Sequence, residues 1–218
     1  MDYPIRINKY IRDKGLASRR EADKLVEDGF VLINGKKAEK GDMVNEEDRV
    51  ILKENKKEYK YIAYYKPCGL PTQDHPGKRS AIADWKKEGV YPIGRLDKES
   101  GGLLILTNDG RFAREVLSRK KEYEKEYIVT VREKLHPGVV KIFKEGMETK
   151  TLGKLLPVKS EIINEKTIKM ILNEGKRHQI RVMLNDLSYT IVSLKRVRIG
   201  DISLGNLNPG ESKKISRG

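Results

Sequence analysis

The stretch Gly94-Arg95-Leu96-Asp97-Lys98-Glu99-Ser100-Gly101-Gly102-Leu103-Leu104-Ile105-Leu106-Thr107-Asn108-Asp109-Gly110 decides how this chain is read. An apolar entry, Val90-Tyr91-Pro92-Ile93, precedes it. After the acid come two glycines, a run of strand character and an Asn-Asp-Gly turn. The pattern predicts an aspartate on a loop pinned between two buried strands. Loops held by rigid strands are where chemistry collects. A single Asp in a turn is otherwise an ordinary surface residue, so the surroundings must carry the argument.

Working outward, Tyr61 to Tyr65 reads as a strand ending in Lys66-Pro67-Cys68-Gly69, and residues 80–86 as a short helix around Trp85. Arg111 to Leu117 reads as a helix, Tyr127 to Val131 as a strand and His136 to Lys144 as a helix. Strands are expected near 158–164 and 167–172, a helix over Lys176 to Leu184, and mostly strand over Tyr189 to Ile199. Many strands with interleaved helices predict an α+β domain on a mixed, largely antiparallel sheet with flanking helices.

The charged run Lys53-Glu54-Asn55-Lys56-Lys57-Glu58 has no apolar residue and reads as a linker, dividing a domain over 1–55 from one over 59–218. Before it, Ile7, Tyr10 and Ile11 have helical spacing with Gly15 as a stop. Ser18 and Glu21 form a capping-box pattern ahead of Ala22, Leu25 and Val26. Phe30 to Ile33, the turn Asn34-Gly35 and Arg49 to Leu52 complete a small αα-β unit.

The net charge of +14 over 218 residues points to a polyanionic partner. The excess is uneven: residues 1–55 carry 12 basic and 12 acidic side chains, whereas 56–218 carry 34 and 20. Within the neutral segment, residues 6–24 still hold seven basic and three acidic groups, enough for a local basic face. One cysteine, Cys68, excludes an internal disulfide and a cysteine-based metal site within one chain. His75, His136 and His178 have no metal-ligand spacing, so no metal or cofactor is expected. The lack of a long apolar run predicts a cytoplasmic protein without signal peptide or membrane span.

The run around Asp97 resembles the signature of the RsuA/RluB/RluE/RluF family of RNA pseudouridine synthases, in which Gly-Arg-Leu-Asp is followed by Gly-Leu-Leu. Two further segments fit the same family. Lys125 and Tyr127 in Glu124-Lys125-Glu126-Tyr127-Ile128-Val129-Thr130-Val131 match its Lys-x-Tyr before a buried strand. Glu174-Gly175-Lys176-Arg177-His178-Gln179-Ile180-Arg181-Val182-Met183 matches its Gly-basic-x-(His/Arg)-Gln-(Ile/Val)-Arg. Ahead of them, Ile5 to Ile11, Ser18 to Ala22, Gly29 to Gly35 and Asp48 to Val50 resemble the RNA-binding domain named after ribosomal small-subunit protein four.

The resemblance implies an isomerase that converts uridine to pseudouridine in RNA without a cofactor. Asp97 stands at the family's nucleophile, Tyr127 at its stacking and proton-handling residue, and Arg181 at its partner to the acid. Arg95, Lys125, His178, Gln179 and Ile180 fall at substrate-contacting positions, and Arg6, Lys9, Arg19 and Arg20 match basic positions of the RNA-binding domain. Taken singly, Tyr127 reads as a core aromatic and Arg181 as a solvated helix residue; the joint pattern raises them. Lys195 to Leu204 looks most like the RluF branch, which implies large-subunit (23S) ribosomal RNA, free or in an assembly particle, and a monomeric enzyme. Arg181-Val182-Met183 departs from the branch's Arg-Arg-Met. Small-subunit (16S) ribosomal RNA, tRNA and a non-catalytic RNA-binding protein stay open as alternatives.

Overall fold

The computed structural model describes residues 2–53, 58–74, 76–77, 79–118 and 123–217. They fall into two compact units, Met1–Lys60 with Asn108–Glu115 and Tyr61–Thr107 with Val116–Gly218. The core of the expected linker, 54–57, lies outside the described residues, as does His75. The units are not contiguous in the chain, whereas the division expected from sequence is.

In the first unit, β1 (Ile5–Arg6) leads directly into α1 (Ile7–Asp13), and α2 (Arg19–Glu27) follows. The capping box is formed: Ser18 Oγ accepts from the Glu21 N–H at 3.3 Å, and the Glu21 carboxylate accepts from the Ser18 N–H at 3.4 Å. Two donors that a helix start leaves open are thereby satisfied. β2 (Val31–Ile33) turns into β3 (Lys36–Lys37), β4 (Met43–Val44) pairs with β1, and β5 (Val50–Leu52) pairs with β2. Asn34 and Gly35 take φ of 52° and 82°, the left-handed pair that a two-residue hairpin turn requires. Ile7, Ile11, Ala22, Leu25, Val26 and Val31 bury one side of this unit. Arg6, Lys9, Arg19 and Arg20 are all exposed.

Asn108–Glu115 joins this unit through α3 (Gly110–Leu117). Arg114 donates to the Arg12 carbonyl at 3.1 Å and to the Ala17 carbonyl at 3.2 Å. Buried Asp109 caps the helix, accepting from the N–H groups of Arg111 and Phe112 at 2.9 and 3.2 Å. Nearby, the Tyr59 hydroxyl donates to Glu21 at 2.9 Å. Burial first and Glu21 next push that hydroxyl up to about 12.

The second unit contains β6 (Tyr61–Lys66), β7 (Tyr91–Ile93), β8 (Gly101–Thr107), β9 (Lys125–Val131), α4 (Gly138–Glu145), β10 (Glu148–Thr149) and β11 (Gly153–Lys154). It continues with β12 (Lys159–Asn164), β13 (Thr167–Leu172), α5 (Gln179–Asp186), β14 (Ile191–Ile199), β15 (Ile202–Ser203) and β16 (Ser212–Lys214). Among the described residues, nine strands form one sheet in the order β12-β13-β9-β14-β8-β6-β16, with β7 on β8 and β15 on β14. The β14/β8 pair is parallel and the others are antiparallel. The mixed, largely antiparallel α+β architecture read from sequence is therefore present.

β8 is buried at every position, which explains why Leu103 to Leu106 reads as a continuous apolar run rather than an alternation. One core cluster joins Val129, Phe143, Ile168, Met170, Ile180 and Met183. Another joins Ile62, Tyr64, Ala81, Ile82, Leu104 and Leu106. Two helices differ from expectation. Around Trp85 only a 3₁₀ turn, Ala83–Lys86, forms, because Ala81 is tied to the Pro71 carbonyl at 2.8 Å and enters the core instead. α5 starts at Gln179 rather than Lys176, because His178 has φ of 56° and cannot continue a right-handed helix.

Candidate active site

The loop 94–100 joins β7 to β8 and carries Asp97. Hydrogen bonds from the segment after β6 hold it on both sides of the acid. Buried Thr72 donates Oγ1–H to the Leu96 carbonyl at 2.7 Å and accepts from the Leu96 N–H at 3.0 Å. The Gly69 N–H donates to the Lys98 carbonyl at 2.7 Å. Lys66 sits at the base of that turn, fully buried, and its ammonium donates to the Pro67 and Leu70 carbonyls at 2.8 and 2.6 Å. Burial pushes the Lys66 ammonium down to about 8 against the opposing pull of Cys68, Asp97 and Glu99. Asp97 is thus placed by backbone that has little freedom to move.

Two groups from the third motif face the carboxylate. His178 Nδ1 lies 3.0 Å from Asp97 Oδ2, and Arg181 Nε lies 3.8 Å from the same oxygen. His178 Nε2 accepts from Arg177 Nε at 3.2 Å. Nδ1 is thus the imidazole nitrogen that faces the acid. Arg181 grips the loop itself, with Nη2 donating to the Glu99 carbonyl at 3.0 Å and to Ser100 Oγ at 2.9 Å. Its charge faces Asp97 while its hydrogen bonds fix the loop, so it answers the negative charge without covering both carboxylate oxygens.

Asp97, Arg95, Lys125, Tyr127, His178, Gln179, Ile180 and Arg181 all line one cleft of about 990 Å³. That volume admits a whole nucleotide rather than a water or an ion. Its floor is a sheet face. Tyr127 on β9 pairs directly with Arg196 on β14, and Lys125 pairs with Leu172 on β13. Ile180 on α5 is 5% exposed and supplies an apolar wall. The Lys125 ammonium donates to the Tyr123 carbonyl at 3.0 Å. Burial first, and then Arg196, holds it below the ordinary lysine range. Gln179 is turned to the protein: Oε1 accepts from the Lys176 N–H at 3.0 Å and Nε2 donates to Glu174 at 2.8 Å. Its amide braces the loop ahead of α5.

Arg6, Lys9, Arg19 and Arg20 belong to the first unit and do not line this cleft. Lys66, Thr72, Ser100 and Arg196 join the site without a motif role. Ser100 lay within the decisive run, and Lys66 ended an apolar strand before a proline, an unusual place for a lysine. Thr72 carried no local signal. Among the described residues, no group of three His, Cys, Asp or Glu could hold a metal ion, and no helix is long and apolar enough to cross a membrane.

Residues 60–186 match the family described as RNA pseudouridylate synthase, and residues 5–50 match the S4 domain. The dual-specificity RNA pseudouridine synthase RluF of Escherichia coli is 35% identical over 224 residues, spanning 99% of this chain and 77% of that protein. The ribosomal large subunit pseudouridine synthase B of Bacillus subtilis is 32% identical over 226 residues, spanning 97% and 92%. A crystal structure of a pseudouridylate synthase has a TM-score of 0.73 and 26% identity, covering 97% of this chain and 96% of its own.

Proposed function

The chain belongs to the RNA pseudouridylate synthase family, and we propose that its substrate is a uridine of large-subunit ribosomal RNA, with Asp97 as the nucleophile. The observation that supports this most directly is the cleft, where a carboxylate on a fixed loop stands with Tyr127, Ile180 and Arg181. A uridine inside folded RNA must leave its stack to reach such a cleft. Tyr127 and Ile180 offer an aromatic and an apolar surface to the flipped base. Asp97 attacks or assists departure at the anomeric carbon, and Arg181 offsets the cost of keeping a carboxylate ionised there.

The bond from ribose C1′ to uracil N1 breaks and its electron pair stays on the base. The ring then turns, C5 bonds to C1′ as the Asp97 oxygen leaves it, the C5 proton departs and N1 takes up a proton; in this reading Tyr127 takes part in the proton transfer. Arg95 and His178, at the mouth of the same cleft, contact the nucleotide or its neighbours. In this reading Arg6, Lys9, Arg19 and Arg20 bind phosphates, which position the RNA without reading its sequence. The enzyme works as a cytoplasmic monomer, on free RNA or an assembly particle. Large-subunit RNA is favoured by the name of the Bacillus subtilis relative, a ribosomal large subunit synthase, and by the likeness of Lys195 to Leu204 to the RluF branch. The test is pseudouridine mapping of all cellular RNA with and without the gene. Loss of a large-subunit site is the expected result, and loss confined to 16S RNA or tRNA overturns the substrate assignment.

A further inference from the structure

β14 carries two arginines that the protein treats in opposite ways. Arg198 is answered by two acids, Glu126 at 2.9 Å and Glu124 at 3.1 Å. Arg196, two residues earlier, makes no ion pair among the described residues. It is more deeply buried, at 4% exposure. Its Nε donates to the Leu103 carbonyl at 2.8 Å, which fixes the guanidinium plane against β8. Its Nη2 is buried and has no hydrogen-bond partner among the described residues. A register shift in the β14/β9 pairing falls between the two arginines, so they do not continue one alternation.

Arg196 also lines the Asp97 cleft. It lies directly opposite Tyr127 and on the same side of β14 as Leu194, another lining residue. The backbone is shaped to allow this. Gly102 pairs with Arg196 across the parallel β14/β8 contact, and a Cβ there would stand 2.2 Å from the Arg196 carbonyl oxygen. Only glycine lets the strands approach closely enough to set Arg196 at the floor. The positive field it creates is felt by Lys125, whose ammonium it disfavours. A cation that has lost water without gaining an acid or a full set of acceptors is arranged for a partner that arrives from outside.

We propose that Arg196 is a catalytic residue that donates to a carbonyl oxygen, O2 or O4, of the uracil in this cleft. The inference rests on the reading of Asp97 and the flipped base. As the C1′–N1 bond breaks, the electron pair left on uracil is shared between N1, O2 and O4. A fixed guanidinium beside one of those oxygens stabilises that charge more in the transition state than in the bound substrate. No oxidant or further reactant is needed, since atoms and electrons stay within the uridine.

The experiment is single-turnover kinetics at saturating enzyme on RNA carrying uridine, 2-thiouridine or 4-thiouridine at the mapped position, with wild type and Arg196→Gln. Sulfur is a poor acceptor, so the thio substitution at the contacted position slows wild type by at least about tenfold more than it slows the variant. The arm showing that coupling names the oxygen. Arg196→Gln on plain uridine should lose about 10²-fold in rate while binding RNA like wild type. If both thio penalties are equal in wild type and variant, the contact does not exist and the proposal fails. If the variant does not fold, wild type alone decides: normal rates on both thio substrates overturn the proposal. Failure of the underlying reading is separate, because Asp97→Asn would then still form pseudouridine on plain uridine RNA.

Discussion

The two units use positive charge in contrasting ways. In the first, Arg6, Lys9, Arg19 and Arg20 stand exposed on or beside two short helices, and none forms an ion pair among the described residues. In the second, the groups that face Asp97 are held by neighbours: Arg181 by the Glu99 carbonyl and Ser100, and His178 by Arg177. Phosphates on folded RNA vary in position, and exposed flexible cations adapt to them at the expense of screening by salt. Bond breaking needs a charge in one place, so its neighbours are fixed before substrate arrives. Substitutions in the two units should therefore fail in different currencies, affinity and its salt dependence in one, rate in the other.

The greatest loss is expected at Asp97, the proposed nucleophile. Asp97→Asn keeps the shape but removes the charge. Turnover should vanish while RNA affinity stays within about tenfold, or roughly 1.4 kcal/mol. Pseudouridine formation by the purified variant at a measurable fraction of wild type would erase the contrast between the units at its strongest point.

Next comes Arg181→Lys, which keeps a positive charge but loses the planar fork that serves Glu99, Ser100 and Asp97 together. A rate loss of about 10²-fold at saturating RNA, roughly 2.7 kcal/mol, is expected with unchanged affinity. Equal activity would show that charge alone suffices and that the fixed geometry is incidental. A smaller effect belongs to Thr72. Thr72→Val leaves the Leu96 N–H and carbonyl without their shared buried partner, a loss of about 1–3 kcal/mol in stability. It should slow turnover about tenfold by loosening the loop, and Thr72→Ser should restore both. Thermal melts beside single-turnover rates check this; a rate loss that Ser does not rescue would locate the fault in packing.

Much of this arrangement was legible in the chain, for local reasons. The capping box at Ser18 and Glu21, the turn at Asn34 and Gly35, and the buried strand after Asp97 are set by neighbouring residues and appear where the pattern places them. The features that escaped depend on residues distant in sequence. Thr72 meets Leu96 across 24 positions, Arg196 meets Leu103 across 93, and Arg114 meets Arg12 across 102. No periodicity in a single segment reports such meetings. The late start of α5 escaped for another reason: His178 adopts a left-handed backbone that its side chain gives no reason to expect, and that turn accompanies its contact with Asp97.

The smallest expected effect tests the first unit, and the structure determines how to test it. Cutting the chain near Tyr59 would remove the partners of Arg114 and Tyr59, namely the Arg12 and Ala17 carbonyls and the Glu21 carboxylate. It would also strip a packed helix start, so lost activity could come from unfolding as readily as from lost RNA contact. Arg19→Ala and Arg20→Ala avoid this, since both side chains are exposed at the start of α2 and neither takes part in the Ser18 cap. Cations at a helix N-terminus oppose the macrodipole by roughly 0.3–1 kcal/mol, so their removal should leave stability unchanged or slightly raised. Each should flatten the slope of log affinity against log salt by roughly 0.7–0.9 if it touches one phosphate. The rate at saturating short RNA should stay at the wild-type value. Unchanged salt slopes in both variants would mean that these cations do not meet the RNA, and the division between adaptable and fixed charge would then hold only within the catalytic unit.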